Sequence, residues 1–244
     1  MTKPKSDKEI PIDNSPFYKS LLKRSRKLYL TTSGKPRKKL NQKDIYQRDI
    51  LEICLRISSL LQTLRLSRFF LGERLEDKIF ENHKVKNADF IRYHIETYFL
   101  RLTTYKDLIL KLFNRTYNLE IKENIGLEKK LIKHISKYNY QELDELLKGL
   151  NILMTNVEPI RHKIAHGGYH DDVHLILIES KESIIKDNYR DLSNNKEYLE
   201  NLNSLLKRNI IDMYGIELMM ATFVLLVYEK LYPKRKQIEK NYSR

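Results

Sequence analysis

The residues best suited to chemistry lie about two thirds of the way along the chain, in Arg161-His162-Lys163-Ile164-Ala165-His166. Arg161 and His166 are separated by about one and a half turns of an α-helix. Arginine binds phosphate oxygens through a forked set of N–H donors, and histidine transfers protons near neutral pH. Together the two side chains provide the minimum needed to cleave a phosphodiester.

The segment is predicted to form a short helix. Glu158 and Pro159 open it, because proline suits the first turn of a helix, and Gly167-Gly168 end it. The free carbonyl groups of the last turn favour a protonated imidazole at His166. His162 lies four residues earlier on the same helix face, where it can orient His166 or contact a phosphate.

Amphipathic helices are predicted around this motif. Apolar residues recur at helical spacing over 42–70, with Gly72 at its end, and over 87–117, 124–135, 140–155 and 194–232, with Pro233 ending the last helix. The two long helices at 42–70 and 87–117 are expected to form an antiparallel pair. The stretch 173–178 is rich in β-branched residues and suggests one small β element. The predicted fold class is therefore all-α, with two long helices and a short motif helix.

The net charge of +14 is concentrated at the ends of the chain. Residues 1–48 hold 14 Lys and Arg against 4 Asp and Glu, residues 233–244 hold 5 against 1, and the remainder is neutral. This indicates a basic, partly disordered extension over 1–41, a helical domain over 42–232 and a basic tail over 233–244. Basic ends favour binding to a polyanion such as RNA. The predicted nucleic-acid-binding residues are Lys23, Arg24, Arg26, Lys27, Arg37, Lys38 and Lys39.

The alternative explanation for the net charge is a general bias of the chain toward Lys, Ile and Asn, in which case the basic ends are only solvated. The single cysteine, Cys54, lies in an apolar helical pattern and is interpreted as a buried residue. The N-terminal sequence lacks the apolar core of a signal peptide. The apolar stretch 218–228 is too short to span a bilayer. We therefore expect a cytoplasmic protein that is not bound to a membrane.

The motif and its setting resemble the HEPN superfamily, whose hallmark is Arg, a polar residue, about three further residues and His. The resemblance covers roughly residues 42–232 and implies a HEPN-like antiparallel helical bundle that dimerises and brings two motifs into one cleft. Many HEPN domains are metal-independent endoribonucleases of toxin–antitoxin and antiviral systems. By this resemblance, Arg161 and His166 are catalytic, His162 supports them, no cofactor is needed, and the product is a 2′,3′-cyclic phosphate. The implied partners are RNA, a second copy of the chain, and an antitoxin or another defence-system component.

Several other residues are secondary candidates. One interpretation of the second long helix is a surface ion pair between Arg92 and Glu96, with His94 beside it. The alternative is that all three side chains support the motif. Some HEPN toxins are modified on a tyrosine that follows the motif histidine. Tyr169 follows His166 at a different spacing from that tyrosine. Four histidines recur every four residues, namely His162, His166, His170 and His174. On one continuous helix this spacing would suggest a metal site, but Gly167-Gly168 interrupt the helix, and we predict no metal.

Two functional alternatives remain at this stage. One is a non-catalytic HEPN module that binds nucleic acid or a protein through its basic N-terminal segment. The other is a purely structural dimerisation domain.

Overall fold

The computed structural model describes residues 12–23, 40–72, 86–155, 157–165, 172–184, 192 and 194–242. All the regular structure in these ranges is helical. After a 3-10 turn at Ile12–Asn14, the helices are α1 (16–23), α2 (Gln42–Gly72), α3 (Asn87–Thr116), α4 (Leu127–Tyr138), α5 (Gln141–Met154), α6 (Glu158–Ala165), α7 (Val173–Ile184) and α8 (Lys196–Asn241).

The predicted all-α class and helix order are confirmed. The two long helices α2 and α3 correspond to the predicted ones, and α2 ends at Gly72 as expected. Pro159 lies in the first turn of α6, where its missing N–H costs no hydrogen bond. The motif helix is therefore present, although its predicted final residue, His166, lies outside the described residues.

The β element expected near 173–178 is wrong, because this stretch is the first half of α7. The Oδ1 of Asp172 accepts a hydrogen bond from the backbone N–H of His174 at 2.9 Å and caps the helix. Leu175, Ile178 and Glu182 are buried at helical spacing. Capping and burial together outweigh the modest β preference of the β-branched residues.

The predicted helix end at Pro233 is also wrong, since α8 continues through this proline to Asn241. A proline inside a helix removes one backbone hydrogen bond and costs about 3 kcal/mol. The turns that follow it bury Arg235 and Glu239 almost completely. Residues 233–241, assigned from the sequence to a basic tail, are thus the last turns of the final helix.

The chain forms two compact units, and α2, α3 and α8 each contribute residues to both. In the first unit, Phe17 stacks on Tyr228 with ring centroids 4.9 Å apart. Ile12, Phe17 and Leu21 are buried, so residues 12–23 of the predicted N-terminal extension are packed. Of the rest of this extension, residues 1–11 and 24–39 lie outside the described ranges. The core of the first unit includes Ile50, Cys54, Ile57, Tyr105, Phe113, Leu131, Leu150 and Val224.

The second unit contains residues 60–104 and 154–217, including the motif helix α6. The Tyr98 hydroxyl donates a hydrogen bond to the carbonyl of Met213 at 2.8 Å. The Arg68 Nε lies 3.1 Å from both carboxylate oxygens of Glu217. These contacts fix α2 and α3 to α8 within the unit. Its core includes Leu64, Ile91, Ile95, Leu102, Leu175, Ile178 and Leu205.

One described helix, α8, is long and apolar enough by length and composition to cross a membrane. Met213, Met220 and Val224 are buried on one side of this helix, whereas Leu218, Met219 and Leu226 are 42%, 52% and 43% exposed. The apolar stretch thus combines a core-forming face with a face that is open in the single chain.

A buried carboxylate caps the start of α3. Glu182 accepts hydrogen bonds from the backbone N–H groups of Asn87 and Ala88, each at 3.1 Å, and from the Tyr198 hydroxyl at 2.7 Å. Two of the unpaired donors at a helix N-terminus are thereby satisfied by a side chain from α7. Burial raises the pKa of Glu182 above its ordinary value of 4.5, and the three hydrogen bonds oppose this increase.

We expect Glu182→Ala to lower the free energy of unfolding by about 2–4 kcal/mol, because it leaves two helix donors and a tyrosine hydroxyl unsatisfied. Because the pKa of Glu182 is higher in the folded than in the unfolded protein, its carboxyl group stabilises the fold most at a pH below the unfolded-state pKa. Part of this stabilisation is lost as the pH rises through the folded-state pKa. The difference between wild type and variant is therefore larger at pH 4 than at pH 7. Urea denaturation at the two pH values measures it, and a larger difference at pH 7 would contradict the assigned pKa direction.

Candidate active site

The motif helix α6 presents its side chains at the surface of the second unit. None of its eight residues is buried. The backbone N–H of Arg161 donates to the carbonyl of Val157 at 3.0 Å, which places Arg161 in the first full turn. His162 and Lys163 are exposed, and Arg161 is half-buried. A macromolecular substrate can therefore reach this helix from solvent.

Among the residues that the structure describes, the Arg161 side chain has no carboxylate partner, and its buried Nε has no hydrogen-bond partner. A buried N–H donor without an acceptor is costly. A phosphate group bound at the guanidinium would balance its charge. Other arginines of the chain pair with carboxylates, namely Arg56, Arg68, Arg92, Arg115, Arg208 and Arg235.

His166, the other principal residue of the motif, lies outside the described residues, as does Tyr169. The structure therefore gives the geometry of Arg161 and His162 alone among the motif side chains. Chain connectivity places His166 directly after Ala165, the last residue of α6.

Arg92, predicted as possible support for the motif, forms an ion pair between α3 and α7. Its Nη2 lies 2.7 Å from Glu179 Oε2, and its Nη1 lies 3.7 Å from Asp89 Oδ1. The hydrogen bond to Glu179 raises the pKa of Arg92, with smaller contributions from Asp89 and Glu96. Arg92 thus anchors α7, the helix that follows the motif.

His94 lies in a cluster of aromatic rings. Its imidazole stacks on Phe70 with centroids 5.7 Å apart and meets Phe90 edge-on at 4.4 Å. Burial lowers the pKa of His94 below its ordinary value of 6.5, so the ring is neutral at pH 7. Glu96 is half-buried. His94 and Glu96 belong to the same unit as the motif helix.

The start of α7 contains a polar cluster whose arrangement the sequence did not reveal. His174 Nδ1 lies 2.8 Å from Asn201 Oδ1 on α8, and Asp172 forms an ion pair with Arg208 of the same helix. From the sequence, His174 was considered only as one of four regularly spaced histidines. Asp172 immediately before a helix was the available signal, since aspartate is a preferred N-cap residue.

The described residues hold no group of three or more His, Cys, Asp and Glu side chains that could bind a metal ion. His162 lies on α6 and His174 on α7, so the four-residue repeat does not continue on one helix. The other two histidines of the repeat, His166 and His170, lie outside the described ranges.

Among the predicted nucleic-acid-binding residues, Lys23 is exposed at the end of the described part of α1. The remaining six lie outside the described residues: Arg24, Arg26, Lys27, Arg37, Lys38 and Lys39.

A helical bundle with an Arg-x4-His sequence at the end of a short helix defines the class as a HEPN domain. In a comparison with protein families, the Cthe2314-like HEPN family matches residues 51–232. Because this match covers well over half of the chain, the protein belongs to the Cthe2314-like HEPN family. Neither the curated proteins nor the solved structures provide a match.

Proposed function

We propose that the protein is a metal-independent endoribonuclease that cleaves RNA and leaves a 2′,3′-cyclic phosphate. The observation that carries this proposal is the half-buried Arg161, which has an unsatisfied Nε and no carboxylate partner among the described residues. It lies in the HEPN motif, on a helix whose side chains are accessible. An arginine in this state is suited to bind a phosphate group from a large substrate.

In the proposed reaction, the ribose 2′-oxygen attacks the adjacent phosphorus and displaces the 5′-oxygen. Arg161 stabilises the negative charge that develops on the phosphate oxygens. His166 transfers a proton, either from the 2′-hydroxyl or to the leaving 5′-oxygen. His162, exposed one turn before His166, contacts a neighbouring phosphate or orients His166. This reaction requires no metal or other cofactor.

The direct test incubates purified protein with labelled single-stranded and stem-loop RNAs in excess EDTA. We expect cleavage that leaves a 2′,3′-cyclic phosphate and a 5′-hydroxyl end. Products with a 5′-phosphate, or activity abolished by chelation, would refute the proposed chemistry. Salt-dependent RNA binding without cleavage would instead support the non-catalytic module, with the basic N-terminal segment as its binding surface.

We also propose a homodimer, as the family resemblance implies, formed through the open apolar face of α8 at Leu218, Met219 and Leu226. These side chains are between 42% and 52% exposed, and a second copy would remove them from water. Light scattering should give twice the 29.3 kDa chain mass, and Leu226→Lys should shift the population toward monomer. A monomeric wild type that floats with lipid vesicles would instead identify α8 as a membrane-binding helix.

The substrate, the partner and the site of action are further proposals, and each rests on the resemblance to other HEPN proteins. RNA is the substrate, an antitoxin or another defence-system component is a partner, and the cytoplasm is the site of action.

A further inference from the structure

A row of aromatic rings lies in the first unit, at the corner between α4 and α5. The backbone of Asn139 is left-handed, with φ 52° and ψ 48°, and ends α4. Asparagine tolerates this conformation better than most residues. The tyrosines on either side of Asn139 both lie beside one histidine of α4. The centroid of the His134 ring is 4.5 Å from that of Tyr138 and 6.1 Å from that of Tyr140.

Cations lie against both ends of this row. The ring of Tyr140 meets that of Tyr117 edge-on, with centroids 5.4 Å apart. The Lys234 Nζ, from the last turns of α8, lies 5.5 Å from the Tyr117 centroid, and the Lys137 Nζ lies 4.9 Å from the Tyr138 centroid. Tyr117 is buried, whereas Tyr138 is 52% exposed. The aromatic row therefore runs from the core to solvent, and its members are Tyr117, Tyr140, His134 and Tyr138.

Lysines cover the outer side of α4. Leu127, Leu131 and Ile135 are buried, and four lysines lie together within about 100° of the remaining helix circumference. The one acidic residue of α4, Glu128, pairs with Lys106 at 3.0 Å. None of the four lysines pairs with a carboxylate of the residues that the structure describes. This lysine face consists of Lys129, Lys130, Lys133 and Lys137, and all four are exposed.

A strand of unpaired nucleotides matches this surface. Proteins that bind single-stranded nucleic acid combine a positively charged track for the phosphates with aromatic side chains on which bases stack. Both are present here, because the exposed ring of Tyr138 directly follows Lys137 at the end of the lysine face. An acidic peptide would gain little from the rings, and a duplex keeps its bases stacked on one another.

We propose that the lysine face and the aromatic row bind single-stranded RNA at a site separate from the HEPN motif helix α6. Phosphates contact Lys129, Lys133 and Lys137, and a base stacks on Tyr138. The site holds a strand and performs no chemistry. The proposal therefore goes beyond the endoribonuclease proposed above and does not depend on it.

The test measures binding of a short fluorescein-labelled single strand by fluorescence anisotropy at several salt concentrations. Each ribose carries a 2′-O-methyl group, so the 2′-oxygen cannot attack phosphorus and binding is measured without cleavage. Replacing Lys129, Lys133 and Lys137 together by alanine should weaken binding about tenfold or more. It should also reduce the slope of log affinity against log salt by about 2, since each phosphate contact to a single strand contributes about 0.7.

Variants of Tyr138 test the stacking separately. Tyr138→Leu should weaken binding about tenfold and leave the salt slope unchanged, because it removes a ring and no charge. Tyr138→Phe keeps the ring and should bind as well as wild type. The matched control replaces three exposed lysines outside the lysine face by alanine and should bind within about threefold of wild type, because salt screens distant charges. These lysines are Lys148, Lys196 and Lys207.

Photocross-linking locates the bound strand directly. A strand containing 4-thiouridine should label residues 129–140. Wild type that does not bind, labels that lie only outside this range, or a lysine-face variant that binds like the control would each overturn the site. Binding to phosphatidylserine vesicles but not to RNA would assign the lysines to a membrane and overturn it as well.

The site and the nuclease fail in distinguishable ways. A wild type that binds the modified strand but leaves unmodified RNA intact refutes only the endoribonuclease. A wild type that cleaves unmodified RNA, with a lysine-face variant that binds the modified strand like the control, overturns only this site.

Discussion

Replacing Arg161 or His166 by alanine should abolish most RNA cleavage. We expect each variant to lower the single-turnover rate by about 10²- to 10⁴-fold, the usual contribution of a charge-stabilising donor or a proton-transfer group. Arg161→Ala also removes the charge that lacks a carboxylate partner among the described residues. The variant should therefore bind RNA more weakly, while His166→Ala binds as well as wild type.

Conservative variants separate charge from geometry at Arg161. Arg161→Lys keeps the positive charge and loses the forked donors, so its rate should fall between those of wild type and Arg161→Ala. The matched control is Arg56→Ala, because Arg56 is an exposed arginine that pairs with Glu52 on the same helix. Full activity in Arg161→Ala, in a preparation whose wild type cleaves RNA, would show that the motif does not perform the chemistry.

The periodic elements of this fold were predictable because their apolar residues repeat over many turns. In α3, predicted from apolar residues recurring at helical spacing, five such residues are all buried, namely Ile91, Ile95, Tyr98, Leu102 and Tyr105. Such a stripe gives the same helical signal at every turn, so local exceptions do not alter the interpretation. The proline-led start of α6 was predictable for a different reason, since few local structures accept proline at that position.

The two errors occurred where a distant contact decides the local structure. Residues 173–178 have the composition of a strand, but Asp172 caps a helix there and is itself held by Arg208, 36 residues later in the sequence. Pro233 normally ends a helix. In this chain, α8 continues because Arg235 contacts Phe17 and Ser20, more than 200 residues earlier. A local pattern carries no information about such a partner.

The same reasoning applies to the candidate site. Arg161, His162 and His166 were identified because motif residues are adjacent in sequence. The ring orientation of His174 depends on Asn201, which is 27 residues away. Arg92 was expected to pair within α3 or to assist the motif; it does pair with Asp89 of α3, but its shorter ion pair is with Glu179 on another helix. Spacing can therefore identify residues capable of chemistry, while the contacts that orient them require the fold.

Arg235→Ala should produce the largest loss of stability in the chain. The Arg235 side chain is completely buried, with its guanidinium 4.8 Å from the Phe17 ring centroid. It donates to the Phe17 carbonyl at 3.2 Å and to the Ser20 hydroxyl, and its Nε lies 3.4 Å from Glu239 Oε1. The variant leaves a buried carboxylate without its cation, which typically costs about 3–5 kcal/mol. Urea denaturation followed by far-UV circular dichroism measures this loss.

A double variant distinguishes the charge effect from loss of packing. Arg235→Met fills much of the vacated volume but still leaves Glu239 buried without its cation, so most of the loss should remain. Adding Glu239→Leu removes that charge, and an apolar pair often matches or exceeds a buried ion pair in stability. The double variant should therefore recover most of the wild-type free energy of unfolding. Lys230→Ala, an exposed position one helical turn and a half before Arg235, is the control and should change stability by less than about 0.5 kcal/mol. An Arg235→Met variant as stable as wild type would contradict the prediction, because it would show that neither the ion pair with Glu239 nor the hydrogen bonds to Phe17 and Ser20 stabilise the fold measurably.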